Sequence, residues 1–451
     1  MPSRSIPSVL ACIAVSIAPA RVILAEEAAS DSEAIRRLHV EVESLQQQIQ
    51  ELREQIAALS ATAAPAPPER TAALPEPPPV PPPASSSTPT VRDPKLFNPA
   101  ISAVFQAIGR NSVEHDREEE DSFSLSEAEI GLQAVVDPYA KVDLFLTFNS
   151  EGEAEVEEGH GTLQALPGGL QIKGGRFKNA MGRWNTLHDH RFPTVDQPNV
   201  LTNFFGEESL RTDGASISWL VPGTGSVYLE TISEIGSTDN DVSFNADGSD
   251  LFVLQHVTST FNVTPNATID VGVSGSHGQA GPTGSLLEDI EEAGLTGTLE
   301  PDEHLASSVF GAEIRYKWKP IRFSLYRSVT LQAEGFMTNR RVEKLTAGGD
   351  LERETLRSAG GYGYGEYQFA KRWRAGIRFD ASQFPDSEAA RERAALAVLK
   401  FTPTEFQEFR IQFKHTGRNE AAASLFDDIE SDNEIFIEWI PVIGTHPAHE
   451  Y

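Results

Sequence analysis

The stretch Tyr139 to Asn149, YAKVDLFLTFN, constrains the fold of this chain more than any other segment. Val142, Leu144, Leu146 and Phe148 alternate with mostly polar residues, so a β-strand built from them has one apolar face and one mostly polar face. A soluble sandwich also alternates, but it rarely puts Lys and Asp in one layer and Phe and Leu in the other through many hairpin-linked strands. The pattern therefore favours a membrane barrel with lipid outside and a wet lumen inside.

Composition agrees with this interpretation and excludes others. After the N-terminus no apolar run is long enough to cross a bilayer as a helix, so closed β-structure is the route that the sequence predicts. The mean hydropathy of -0.30 is typical of barrels, because only every second strand residue faces lipid. The formal charge of -29 argues against nucleic acid as a partner, and the lone cysteine, Cys12, suits an oxidising compartment.

Residues 1–25 have the features of a secretory signal peptide. Arg4 precedes an apolar segment, and small residues near Ala18-Pro19-Ala20 or Ile23-Leu24-Ala25 provide cleavage sites. A membrane anchor is the alternative, but the apolar segment is too short to span and Arg21 closely follows it.

Residues 32–60 carry heptads that predict a coiled-coil oligomerisation helix. The alternative is a single amphipathic helix packed on a globular core. β-branched residues at a with Leu at d favour a dimer in parallel coils. The predicted core residues are Ile35, Leu38, Val42, Leu45, Ile49, Leu52, Ile56 and Leu59.

Residues 61–95 are rich in proline, with eleven prolines between Pro65 and Pro89. Such a segment cannot build a core and predicts a semi-extended spacer. With the coiled coil it would form a periplasmic stalk that could contact the cell wall, although a simple tether without a specific ligand fits better.

Residues 96–451 are predicted to form the barrel, with sixteen candidate strands between residues 101 and 445. An even number suits a closed antiparallel barrel. Short, mostly Pro-marked turns alternate with longer acidic loops, which predicts periplasmic turns and exterior loops. The predicted fold class is an all-β membrane protein: a 16-stranded antiparallel transmembrane β-barrel preceded by a coiled-coil helix and a Pro-rich linker.

The predicted exterior loops hold much of the negative charge. Clustered carboxylates could bind Ca²⁺ or Mg²⁺, but the spacing is not that of a dedicated calcium loop, so a solvated acidic rim is the alternative. The residues are Glu114, Asp116, Glu118, Glu119, Glu120 and Asp121, then Glu151, Glu153, Glu155, Glu157 and Glu158, then Glu288, Asp289, Glu291, Glu292, Glu300, Asp302 and Glu303.

The third exterior connection, residues 179–210, is unusually aromatic for a loop, with Trp184, Phe192, Phe204 and Phe205 beside charges. A loop of this kind should pack on something, and the barrel's inner wall is available. We expect it to narrow the lumen, with Arg183, His188, Asp189, His190 and Arg191 facing water as a constriction. His188 and His190 could ligate zinc, but without a third ligand in the sequence no metal site is predicted.

Late strands carry basic residues at inward positions: Arg315, Lys317, Arg374, Arg378, Arg410 and Lys414. Such residues could line an anion path. The alternative is charge balance against Asp143, Glu313, Asp380 and Glu408, which would give a mixed pore with a transverse field and modest selectivity.

Three segments resemble a group of porin-like outer-membrane proteins: FNPAIS at Phe97–Ser102, FFGEE at Phe204–Glu208, and the C-terminal pattern Gly444-x-His446-x-Ala448-His449-x-Tyr451. The whole organisation is more loosely similar to coiled-coil trimeric porins and to the phosphate-selective porin family. The resemblance implies an outer-membrane trimer, in conflict with the dimer that the heptads favour. The arginine ladder of the phosphate-selective family does not map onto this chain, so phosphate specificity is not carried over.

We therefore expect a passive channel for small hydrophilic solutes or ions in the bacterial outer membrane, with its N-terminal stalk in the periplasm. Expected partners are outer-membrane lipid, lipopolysaccharide and further copies of the chain, with no cofactor and no nucleic acid. A structural tether between outer membrane and cell wall is the alternative. A receptor or hydrolase fits less well, because the sequence lacks a plug-sized domain and a Ser-His motif, so no enzyme is expected.

Overall fold

The computed structural model describes residues 99–112, 122–150, 152–238, 240, 242–245 and 250–444. Within them, sixteen antiparallel strands form a closed barrel, in which consecutive strands pair and β1 also pairs with β16. The strands are β1 (Ala100–Ser112), β2 (Ser122–Asp137), β3 (Ala140–Asn149), β4 (Ala154–Leu166), β5 (Leu170–Lys178), β6 (Arg211–Leu220), β7 (Val227–Ser237), β8 (Phe252–Thr264), β9 (Ala267–Ala280), β10 (Leu305–Trp318), β11 (Ser328–Leu345), β12 (Leu351–Ala370), β13 (Trp373–Phe384), β14 (Ser387–Thr404), β15 (Gln407–Arg418) and β16 (Ser431–Gly444).

Alternation along the strands sorts the side chains as the sequence predicts. In β3, Val142 is 43% exposed, whereas Asp143 is only 3% exposed. In β13, Ile377 and Phe379 are exposed on the outer face, while Arg378 between them is buried inside. The prediction of a 16-stranded antiparallel barrel is therefore confirmed, and every predicted strand is present in the predicted order.

The outer face carries a band of aromatic rings near the end of the barrel with the short turns. Trp373 stacks on Phe401 with ring centroids 4.6 Å apart, and Phe409 stacks on Trp439 at 6.1 Å. These side chains belong to neighbouring strands and are part of a largely apolar exterior. Apolar outer surfaces flanked by aromatic girdles are typical of transmembrane barrels.

Connections are mostly short at one end of the barrel and longer at the other, and the clearest exceptions to the predicted rule are 319–327 and 385–386. One end has the turns 138–139, 167–169, 221–226, 265–266, 319–327, 371–372 and 405–406, and the other has the connections 113–121, 150–153, 179–210, 238–251, 281–304, 346–350, 385–386 and 419–430. Pro385-Asp386 is a short Pro-marked turn on the long-loop side, so the expectation of long loops throughout that side is wrong there. The reason is that β13 and β14 continue to pair as far as Phe384 and Ser387, which leaves two residues for the turn.

Among the described residues, three short α-helices lie in the long connections: α1 (Asn199–Phe205), α2 (Gly284–Glu292) and α3 (Glu420–Ala423). The side chains of Thr283 and Asn419 cap α2 and α3 by accepting hydrogen bonds from backbone N–H groups. Within the described ranges, no helix has the length and apolar character needed to cross a membrane.

Several predictions concern residues outside the described ranges and remain predictions. They are the signal peptide 1–25, the coiled coil 32–60 with its eight core residues, the linker 61–95, the acidic residues 114–121, Glu151 and the C-terminal residues 445–451.

Candidate functional site

The loop between β5 and β6, residues 179–210, packs inside the barrel; we call it the inner loop. Trp184, Phe204 and Phe205 are fully buried. The Trp184 ring meets the edge of Tyr362 on β12 at 5.3 Å, and Phe205 meets Phe336 on β11 at 5.8 Å. An apolar core thus fills the space between the inner loop and the wall, where burying aromatic surface stabilises the loop's position.

The two ends of the inner loop are fastened to each other. The backbone N–H of Asn179 donates to the carbonyl oxygen of Leu210 at 2.9 Å. The buried Asn185 amide donates to the carbonyls of both residues and accepts from the N–H of Leu210 at 2.8 Å. The inner loop therefore leaves and rejoins the wall at one place, which keeps β5 and β6 paired.

Glu334 on β11 holds the first turn of the inner loop. Its carboxylate accepts hydrogen bonds from the backbone N–H groups of Arg183 and Trp184 at 3.2 and 3.1 Å, and from the Tyr362 hydroxyl at 2.6 Å. Gly182 makes this approach possible: it has φ 73°, and a Cβ there would lie 2.3 Å from a Glu334 oxygen.

Arg378 on β13 anchors the far part of the inner loop. Its guanidinium donates to the carbonyl oxygens of Asp196 and Gln197 at 2.7 and 3.1 Å, and to the Asp196 carboxylate at 3.0 Å. Lys414 adds a 2.6 Å ion pair to the same carboxylate. Burial raises the pKa of Asp196, but the cations Arg378 and Lys414 outweigh it and hold that pKa well below its usual range.

Three predicted pore-wall residues are therefore loop anchors rather than the lining of an open path, and Arg378 and Arg410 pair with Asp380 and Glu408 as the charge-balance alternative predicts. Arg378 is 0% exposed, Arg410 is buried and Lys414 is tied to Asp196. Arg410 donates to the carbonyl oxygens of Thr194 and His190 and pairs with Glu438 at 3.1 Å. The inner loop covers these cations, which their strand positions alone could not indicate.

The remaining predicted cations keep access to the lumen. Arg183 of the inner loop has a side chain that is 30% exposed, and its guanidinium lies 3.6 Å from the carboxylate of Asp270 on β9. Arg315 on β10 forms an ion pair with the same carboxylate at 2.7 Å. Lys317 is close enough to both arginines for their positive charges to act on it. Arg374 is half-exposed on β13, 4.0 Å from Glu408. The structure thus brings Arg183 together with Arg315 and Lys317.

The two histidines of the inner loop do not face water, and that expectation is wrong. His188 and His190 are 7% and 5% exposed, while Asp189 and Arg191 are half-buried. His188 lies between the loop and the wall, where its Nδ1 is 2.7 Å from Glu129 on β2 and 2.9 Å from Glu157 on β4. Burial lowers the pKa of His188, but the neighbouring carboxylates, Glu157 foremost, raise it well above its usual value.

Glu157 and Glu158 are the residues that sequence reasoning misplaced most. Both were expected in an exterior acidic loop, yet both lie in β4 and are buried inside the barrel. Phe145 of β3 pairs with Glu158 and Leu146 with Val156, so Glu157 is the extra residue of a β-bulge. The poor alternation of this strand was the only signal. The acidic residues of α2 are exposed, and cation binding there remains a prediction.

A closed antiparallel barrel with an apolar exterior, an aromatic band and a loop packed in its lumen belongs to the architecture of membrane-spanning barrels. No protein-family model matches the chain. A protein of Aquifex aeolicus (strain VF5) described as "Uncharacterized protein" is 28% identical over 390 residues, which cover 80% of this chain and 76% of that protein.

Solved structures similar to this chain come from other bacteria. A loop L8 deletion mutant of OmpT, an outer membrane protein of Vibrio cholerae, has a TM-score of 0.49 at 8% identity over 77% of this chain and 100% of its own. The anion-selective porin from Comamonas acidovorans has a TM-score of 0.47 at 9% identity over 77% and 98%. OmpF of Salmonella typhi in complex with daunomycin has a TM-score of 0.48 at 11% identity over 77% and 99%.

Proposed function

We propose that this chain forms a porin-like channel in the bacterial outer membrane, through which small hydrophilic solutes or ions diffuse passively. The observation that carries the proposal is the inner loop, which charged wall residues hold inside a closed barrel with a lipid-compatible exterior. Partly exposed charged side chains in the lumen, such as Arg183 and Arg374, are consistent with a water-filled path beside the inner loop.

The lumen-facing charges favour a weak preference for anions. Arg183, Arg315 and Lys317 lie near the carboxylate of Asp270, and Glu313 is close to Arg315, so the three cations outnumber the two carboxylates in this part of the lumen. Guanidinium groups beside a narrow path act on ions more strongly than rim carboxylates, whose field salt screens within roughly 8–10 Å. The net charge of -29 therefore need not set the selectivity.

Assembly and location form part of the same proposal. We propose that the chain assembles into homo-oligomers through residues 32–60, with a trimer or a dimer as the alternatives, and that the stalk lies in the periplasm. The apolar exterior and its aromatic band support contact with outer-membrane lipid and lipopolysaccharide.

Single-channel recording in planar bilayers tests the channel directly. Replacing residues 183–207 with a short Gly-Ser linker should raise the conductance several-fold, because the inner loop occupies the lumen and its two ends are adjacent. The matched control is a similar replacement within the 281–304 connection, residues 285–297, which should change the conductance little. Folded protein that gives no conductance steps in either form would contradict the proposed function.

A further inference from the structure

Three separate elements bring metal-binding side chains together at one buried point. Glu129 comes from β2, Glu157 from β4 and His188 from the inner loop, and all three are buried. One ligand atom from each lies within 4.8 Å of the other two. A second group, Glu127, Glu129 and His190, meets the same criterion and shares Glu129. The third ligand that the sequence did not provide for the two histidines is therefore supplied by the wall.

The spacing of these atoms suits a small dication. His188 Nδ1 is 2.7 Å from an oxygen of Glu129 and 2.9 Å from one of Glu157. Ligands bound tetrahedrally to Zn²⁺ at about 2.0–2.1 Å would stand roughly 3.3 Å apart. Exchanging a proton for a metal ion would thus lengthen these two distances by only roughly half an ångström.

Charge also points to a bound cation. Three buried carboxylates, those of Glu129, Glu157 and Glu158, converge on His188, and Glu127 lies next to them. Lys178 pairs with Glu157 at 2.7 Å and is the one lysine in direct contact with this group among the described residues. Burying several carboxylates against so little positive charge is costly unless a further cation is bound, either a metal ion or a proton on His188.

The surroundings hold the ligands as metal sites usually do. Lys178 occupies the other oxygen of Glu157, and the β-bulge directs Glu157 inward. Glu158 faces the Nε2 side of His188 at 3.5 Å and is itself held by His160 at 3.1 Å. A carboxylate on the far nitrogen of a ligating histidine fixes the orientation of the ring and strengthens the ligand.

We propose that Glu129, Glu157 and His188 bind one divalent transition-metal ion of the zinc class per chain. His190, whose Nδ1 lies 3.6 Å from Glu129, is within reach as a fourth ligand. The ion takes the place of the proton on His188 Nδ1 and joins the inner loop to β2 and β4. Mixed imidazole and carboxylate ligands select Zn²⁺, Co²⁺ or Ni²⁺ over Ca²⁺ and Mg²⁺, which prefer oxygen ligands alone. This site does not depend on the proposed channel function.

Cobalt titration of the full chain tests the proposal. The protein, refolded in detergent micelles and stripped with a chelator, is titrated with Co²⁺ in excess Mg²⁺ and Ca²⁺, which occupy exposed acidic groups. We expect a visible absorption band that saturates at one Co²⁺ per chain and disappears when one equivalent of Zn²⁺ is added. If no such band forms in the wild-type protein, the cluster holds a proton rather than a metal, and the proposal is overturned.

Variants locate the bound ion. Glu129→Gln and His188→Gln should each weaken Co²⁺ binding at least about tenfold. His304→Gln is the matched control, because His304 is an exposed histidine that contacts Asp250 at 2.6 Å, and it should bind like the wild type. Equal loss in the control would assign the ion to surface groups and overturn the proposal. If a variant does not fold, X-ray absorption of the Zn²⁺-loaded wild type decides: imidazole scattering supports the site, and its absence rejects it.

Discussion

The inner loop leaves some arginine side chains exposed to the lumen and buries others, as Arg183 and Arg378 show. Arg183 is partly exposed and faces the lumen beside Asp270. Arg378 is fully buried, and its donors are used by Asp380, Asp196 and Gln197. A buried guanidinium whose N–H groups all donate to protein atoms helps to hold the fold, but it does not contact ions that pass through the lumen. Only the first kind should therefore influence selectivity.

Reversing charge on the inner loop should move the selectivity of the pore. In the double variant Arg183→Glu with Arg191→Glu, the group around Asp270 loses a cation and gains a carboxylate, so we expect reversal potentials in a salt gradient to shift towards cations. The measurement is the reversal potential of single channels in planar bilayers.

The control for charge reversal is Arg341→Glu, on the exposed outer face of β11, which should leave the reversal potential unchanged. A wild-type pore that is strongly cation-selective, and that does not respond to the double variant, would show that the acidic exterior loops govern permeation.

At the scale of elements, docking of the inner loop should weaken in acid. Burial disfavours the charged form of Asp196, but Arg378 and Lys414 outweigh it and depress the pKa. Above the ordinary aspartate pKa of about 4, the charged Asp196 carboxylate makes its full contribution to docking. As the pH falls from that value towards the lower pKa of the folded state, the carboxylate becomes protonated and this contribution is lost. We expect single-channel current noise to increase between pH 7 and pH 3 as the inner loop moves more.

Asp196→Asn isolates this contribution, because it removes the charge and keeps the shape. The variant should be noisy already at pH 7 and should respond less to acid. Gln412 would still contact position 196, since it donates to the Asp196 carboxylate at 2.7 Å. Equal acid sensitivity in wild type and variant would assign the effect to other groups.

The elements themselves were predictable, whereas their contacts were not. Strict alternation, as in Val142 and Asp143, identifies strands because each residue's face depends only on local geometry. The aromatic content around Trp184 also identified a loop that must pack on something. The bulge at Glu157 depends on the register with β3, and the Arg378–Asp196 pair joins residues 182 positions apart. No pattern within one segment of the sequence encodes such pairings.

At the scale of the whole molecule, oligomer formation and barrel closure should be separable. Deleting residues Ser32 to Ser60 should weaken the oligomer without unfolding the barrel, because the heptads and the strands bury different surfaces. Crosslinking and native mass measurements decide this. Deleting the proline-rich residues Ala61–Pro89 is the control and should leave the oligomer intact. An unchanged oligomer after the first deletion would show that barrel walls alone hold the copies together.

The contacts of the inner loop join segments that are synthesised at different times. Arg183 and Trp184 dock on Glu334, which follows Arg183 by 151 positions, and the aromatic partners Phe336 and Tyr362 lie on the same late strands. Until β11 and β12 are in place, Trp184 and Phe205 lack their ring partners Tyr362 and Phe336. During that interval they are the segment most in need of shielding by periplasmic folding factors. The inner loop is therefore synthesised well before the strands on which it docks, and its docking depends on contacts between residues far apart in the sequence.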